Sequence, residues 1–165
     1  MVKQNATPDS SFWIHATVSN VIEQLLEDFE LYVAQAVAEE LSEDYRSGAR
    51  LHGLIREGRV RVRDAGAATL DRFGPGERAA INLAIENPDW VLLMDDLRPF
   101  RAAEELGLSP VSSPVYAASL YKRGVLDEQA VLNVLARLSA RSTVSPQLID
   151  LALSQVADIT KKGRG

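Results

Sequence analysis

Apolar residues recur along this chain in two rhythms: the three-to-four spacing of a helix face, and short runs suited to strands. Val18, Val21, Ile22, Leu25 and Leu26 share one face, so Ser10 to Phe29 reads as one or two helices. Val37, Leu41, Tyr45, Leu51, Leu54 and Ile55 predict one long helix from Ala36 to Glu57, with Gly48 and Gly53 as places to bend or split. Strand candidates are residues 2–9, Glu30 to Val33, Val60 and Val62 alternating with Arg59, Arg61 and Arg63, Trp90 to Met94, and Pro110-Val111. Trp90 to Met94 has the continuous apolar character of a central parallel strand. Residues 2–9 are a poor strand, polar and carrying Pro8, which lacks a backbone donor. A loop closing at Phe73 to Glu77 leads into a helix ending at Glu86, before Asn87-Pro88. A further helix spans Arg98 to Leu106 and stops at Gly107. Residues 114–123, 127–141 and 146–161 predict three more helices, two of them starting at Asp127 and Ser145, before a frayed KKGRG tail.

Strands alternating with helices predict an α/β fold around a mainly parallel sheet of four or five strands. The 165 residues suit one domain, with a core over 1–113 and C-terminal helices over 114–165 packed on it. No apolar run is long enough for a membrane span, and the N-terminal residues lack the apolar stretch of a signal peptide. Cysteine is absent, which excludes disulfides and thiolate metal sites and suits a cytoplasmic protein. With only His15 and His52, a histidine-rich zinc site is a poor reading. Any bound metal would be held by oxygen, which selects magnesium or manganese.

The net charge of −5 argues against a nucleic-acid partner until its distribution is considered. Residues 1–45 carry nine acids and one base, whereas Arg46 to Arg63 holds six arginines and the single acid Glu57. That order would suit a metal pocket beside a phosphate-binding face, and equally two solvated helix faces of opposite sign. Asp95 and Asp96 follow the most apolar strand, where open α/β sheets place their ligand sites. Helix capping accounts for one of them readily and for two less well. Glu77 opens a helix after Gly74-Pro75-Gly76, where the helix dipole alone would favour a carboxylate. Asp9 alone reads as a cap, and Glu39, Glu40 and Glu43 alone read as solvent-facing charge. Trp13 and Trp90 read as core, Tyr116 and Tyr121 as packing residues, and His15 as a structural histidine rather than a general base.

The order of these acids says more than any one of them. With the stretches PDSSFWIHA, VIEQLLEDFELYVAQAVAEEL, GPGERAAINLAIENPDWVLLMDD and AAEELGLSPVSS, and the later KRGVLDE and TVSPQLIDLAL, the chain resembles the PIN-domain nucleases over most of its length. The resemblance is closest to their predicted nucleic-acid-binding branch. It implies a three-layer sandwich and a metal-dependent ribonuclease using magnesium or manganese, as in the toxins of toxin–antitoxin pairs. It carries Asp9 onto the acid ending strand one and Glu40 onto the helical glutamate. Glu77 falls on the acid before strand four, and Asp95 or Asp96 on the acid ending it. Ser10 and Ser11 fall beside the first acid, and Ser113 where the branch often has threonine. Carboxylates holding a metal ion could activate water and clamp an in-line transition state. Arg98, Arg59 and Arg61 are the candidate phosphate contacts. The implied partners are RNA, an antitoxin protein docked on the C-terminal helices, or a second copy of the chain. Phe100 stands where the branch often has arginine, and Ser112-Ser113 replace its glycine-threonine pair. With the weak first strand, these departures favour the alternative of an inactive PIN-like module that binds RNA or a protein.

Overall fold

The computed structural model describes residues 2–66 and 70–163. The expected loop before Phe73 and the expected frayed tail therefore fall partly outside the described residues, at 67–69 and 164–165. Four parallel strands form one sheet in the order β3-β2-β1-β4: β1 (Gln4–Pro8), β2 (Phe29–Ala34), β3 (Val60–Arg63) and β4 (Val91–Leu93). Between them run α1 (Ser10–Val18), α2 (Ile22–Asp28), α3 (Gln35–Glu40), α4 (Arg46–Arg56) and α5 (Pro75–Glu86). After β4 come α6 (Leu97–Glu105), α7 (Ser113–Lys122), α8 (Glu128–Ser139) and α9 (Pro146–Lys162). No helix among the described residues is long and apolar enough to cross a membrane.

The sheet inverts the expected ranking of its strands. The polar β1 is central, hydrogen-bonded to β2 on one side and β4 on the other. Its last residues, Ala6, Thr7 and Pro8, are small and buried, so the neighbouring elements supply the apolar bulk. Pro8 is tolerated for a geometric reason. The Asp9 N–H donates to Leu93 O at 2.9 Å, so position 8 aims toward β2, where the pairing has already ended at Ala6 and Leu31. The apolar β4 lies beside β1, with only Val111 beyond it. Val111 N–H donates to Leu92 O at 2.8 Å, and Met94 N–H to Val111 O at 3.0 Å.

Alternation along β4 divides the core into two layers. Leu93 packs with Phe12, Trp13, Leu25 and Leu31 under α1 and α2, while Leu92 and Met94 pack with Ala80, Ile81 and Ala84 of α5. Each fully buried leucine of this kind contributes about 1.5–3 kcal/mol. A third cluster joins α7, α8 and α9 through Tyr121, Val131, Leu135, Leu138 and Ile149. Tyr116 and Leu120 of α7 face the sheet layer instead, so α7 ties the C-terminal helices to the α/β core.

Three local expectations are corrected. The long helix is two helices, and it breaks at residues 41–45, ahead of both glycines. Gly48 serves a different purpose: a Cβ there would stand 1.8 Å from Ser42 O, so only glycine lets α4 fold back onto that turn. On edge strand β3, Val60 is buried but Val62 is 37% exposed, in keeping with its place at the edge of the sheet. Trp90 is only partly buried, stacked on Tyr32 at 4.6 Å with the Arg63 guanidinium over its ring. At α9, Ser145 stands at the N-cap as expected, with its hydroxyl donating to Gln147 Oε1 at 2.7 Å and Pro146 opening the helix.

Candidate active site

Parallel strands bring their carboxyl ends to one side, and the acids gather there. Asp9 follows β1 and is fully buried. Its Oδ1 caps α1 by accepting from Phe12 N–H at 2.8 Å, while its Oδ2 is buried with no hydrogen-bond partner among the described residues. Burial pushes the Asp9 carboxyl well above the usual range; the Phe12 N–H works against this, and Asp95, Glu77 and Asp96 add to the rise. An unsatisfied buried carboxylate oxygen surrounded by other carboxylates is an unstable arrangement for a protein alone.

Glu77 lies in the first turn of α5 and reaches back to accept from Gly74 N–H at 3.2 Å. Burial raises its carboxyl as well, opposed by that N–H and reinforced by Asp96 and Glu40. Glu40, at the end of α3, is drawn in from the side. Its Oε2 accepts from Ser10 Oγ at 2.6 Å, and its Oε1 from Gly76 N–H at 2.8 Å. A Cβ on residue 76 would sit 2.2 Å from Glu40 Oε2, so the Gly-Pro-Gly turn is the wall against which Glu40 rests.

The two aspartates after β4 separate by environment. Asp95 is fully buried and ringed by donors: Ser113 N–H at 2.6 Å, Ser113 Oγ at 2.5 Å and His15 Nδ1 at 2.5 Å. The His15 Nε2 lies 2.8 Å from Thr143 Oγ1 in the turn between α8 and α9. In the neutral ring, an Nδ1–H given to Asp95 leaves Nε2 to accept from that hydroxyl. Asp96 is exposed and caps α6 through Arg98 N–H at 3.2 Å.

Asp9, Asp95, Asp96, Glu77 and Glu40 thus meet at one end of the sheet, with Ser10 and Ser113 holding two of them. Ser11 is half-buried beside them in the first turn of α1. The Arg98 side chain is exposed and makes no ion pair among the described residues. Arg59 lies elsewhere: it precedes β3, at the opposite end of the sheet, and pairs with Glu23 at 2.8 Å. Arg61 donates to Tyr32 Oη at 3.0 Å across the edge of the sheet. From sequence alone, no part in this site fell to His15 or Thr143, and Gly76 was left between a tight turn and a site wall. The first two are 128 residues apart, so no local pattern links them, while the Gly-Pro-Gly turn was a usable signal for the third.

Among the described residues, no three acidic or histidine side chains stand at the spacing of a ready-made metal cage. The donor chemistry nonetheless fits a hard dication. Magnesium commonly takes one or two protein carboxylates and keeps water on its remaining positions. The orphaned Asp9 Oδ2 and the raised Glu77 carboxyl are the groups a cation would relieve.

A family model described as a PIN domain (DUF3368) matches residues 7–158. No curated protein and no solved structure matches the chain.

Proposed function

Because the chain belongs to the PIN-domain family, we propose that it is a ribonuclease using magnesium or manganese to cleave phosphodiester bonds. The observation that carries this reading is Asp9: a buried carboxylate with an unpartnered oxygen, facing Glu77 and Asp96 across the ends of adjacent elements. Asp9, Glu77 and Asp96 would hold the metal, with Glu40 at the rim. A bound dication would lower the pKa of a coordinated water and offset charge on the phosphoryl oxygens. Asp95 is the weaker candidate ligand, since three donors already occupy its oxygens. It supports the site by fixing the start of α7 and the α1 face against the end of β4. Arg98 is free to meet a phosphate beside the acids, and Ser10 keeps Glu40 turned toward them.

The test is cleavage of a mixed single-stranded RNA with magnesium or manganese, alongside Asp9→Asn and Glu77→Gln. Both variants should lose activity by about a hundredfold or more, the scale of removing one charge contact to a transition state. In parallel, manganese should raise the melting temperature of the parent and leave that of Asp9→Asn unmoved. Cleavage that survives chelation, or is unchanged in both variants, would sink the reading. A second reading, an inactive module that binds RNA or a protein, draws on the spread of the acids, which falls short of a ready-made cage. It expects RNA binding without cleavage and no manganese-dependent stabilisation.

A further inference from the structure

Beside the acids a trough begins, and nothing in the preceding reading uses it. Its first part, about 470 Å³, opens at Glu40 and runs over Ile14 and Val18 between Tyr45, Arg46 and Arg141. Its second part, about 490 Å³, shares Thr17 and Arg46 with the first and continues to Asn20, Glu23 and Arg50. The two adjoin at these shared residues near the crossing of α1 and α4, and Glu40 lines the first of them.

The lining has three separate qualities. The first part has an apolar floor of Ile14, Val18 and Leu41, whereas the second is mostly polar. The cations are unevenly engaged: Arg50 pairs with Glu23, which Arg59 also neutralises. Among the described residues, Arg46 reaches only the neutral Asn20 Oδ1 at 3.3 Å, and Arg141 makes no ion pair. Finally, the Tyr45 ring is 72% exposed although its backbone is pinned on both sides. Its N–H donates to Ser42 O at 3.3 Å, and its carbonyl accepts from Ala49 N–H at 2.9 Å. A ring held by rigid backbone and left in solvent is a stacking surface that loses little freedom on binding.

We propose that this trough carries single-stranded RNA away from the acid cluster, with a base stacked on Tyr45 and backbone phosphates on Arg141 and Arg46. The inference rests on the nuclease reading and adds the path of the substrate. It favours a single strand because a base must leave its own stack to lie on Tyr45. Guanidinium groups meet phosphate oxygens in paired fashion, and a partly apolar floor suits the face of a base. The acids Glu40 and Glu23 line the first and second parts, and Arg46 lies where the two adjoin.

The experiment is fluorescence anisotropy with a labelled twelve-nucleotide RNA and magnesium, in a Glu77→Gln background so that the strand stays intact. Tyr45→Ala should weaken binding about tenfold. Arg46→Gln and Arg141→Gln should each weaken it several-fold and lower the salt dependence by about 0.7 in log–log slope. Melting temperatures of the Tyr45 and Arg46 variants should stay within a degree or two, since both residues are exposed. Duplex RNA should bind more weakly than the single strand. If the background binds RNA but none of the three substitutions changes affinity or salt dependence, the strand takes another path and this proposal falls alone. Equal binding of duplex and single strand would also overturn it. If RNA is not bound at all, the nuclease reading falls and takes the proposal with it.

Discussion

The two ends of the sheet hold their carboxylates under opposite conditions. Asp28 closes α2, where β2 begins, and is met by the Arg123 guanidinium at 2.7 and 2.9 Å and the Tyr116 hydroxyl at 2.6 Å. Arg123 holds its carboxyl below the usual range despite partial burial. Asp9, at the far end of the neighbouring strand, is more deeply buried, meets no cation, and is pushed the other way. The same fold therefore supplies a full set of partners at one end and withholds them at the other. Local instability that persists in a well-packed domain is a mark of function, because structure alone gives no reason to keep it. Asp95 sharpens the contrast, for it stands at the acid end and is nevertheless saturated. The deficit belongs to Asp9 and the acids facing it.

The largest effect is expected where the acid end is satisfied. His15→Ala removes a donor from a fully buried carboxylate and cuts the link to Thr143. It should cost about 3 kcal/mol in urea unfolding, the scale of stranding one member of a buried pair. Asp9→Asn, a few ångströms from it in the same wall, should cost nothing in the absence of metal. Asparagine caps a helix as well as aspartate does, and the substitution removes a charge the site disfavours. A loss below about 1 kcal/mol for His15→Ala would mean that Asp95 does not depend on its donors, and the distinction between the two buried acids would collapse.

At the opposite end, Asp28→Asn should destabilise by about 1 kcal/mol, the scale of a partly exposed charge-assisted contact. Arg123 is 46% exposed, which keeps the effect modest. The informative result is the sign. Neutralising one carboxylate should weaken the fold and neutralising the other should not, although both are aspartates at the edge of one sheet. Two losses of equal size would show that Asp9 has a partner after all.

What the sequence revealed of this contrast follows from the range of each interaction. Asp9, Glu77 and Asp96 lie at strand ends or helix starts, positions marked by local signals such as the Gly-Pro-Gly turn and the apolar run before Asp95. Their order along the chain was therefore readable. The α/β alternation and the C-terminal helices were readable for the same reason. The residues of β1 did not mark it as central, because only its small end residues Ala6, Thr7 and Pro8 are buried, and Phe12, Trp13, Leu31 and Leu93 of other elements supply the apolar bulk around Ala6. Nor was the split at residues 41–45 readable, since Gly48 acts through its approach to the Ser42 backbone rather than through helix propensity. The different surroundings of Asp95 and Asp96 come from Ser113, His15 and Thr143, which only the folded chain assembles.

The smallest effect, and the one that joins the two ends, is on pH. Asp28 has a depressed folded pKa, so its stabilisation is present above the ordinary carboxylate range and is lost as pH falls through the folded value. Asp9 has a raised folded pKa, so the native state binds its proton more tightly than the unfolded chain does. Its contribution is therefore favourable at low pH and declines as pH rises from the unfolded value, near 3.8, through the folded one. In metal-free buffer the two slopes oppose each other in different windows, that of Asp28 below about pH 4 and that of Asp9 above it. Asp9→Asn should make stability rise more steeply above about pH 4, and Asp28→Asn should flatten the loss of stability as pH falls below it. Urea midpoints on both sides of that value read the two slopes directly. Added manganese should make the parent resemble Asp9→Asn, because a cation on Asp9 removes the same penalty that the asparagine does. Parallel pH profiles for the parent and both variants would mean that the two ends do not differ in the way their partners indicate.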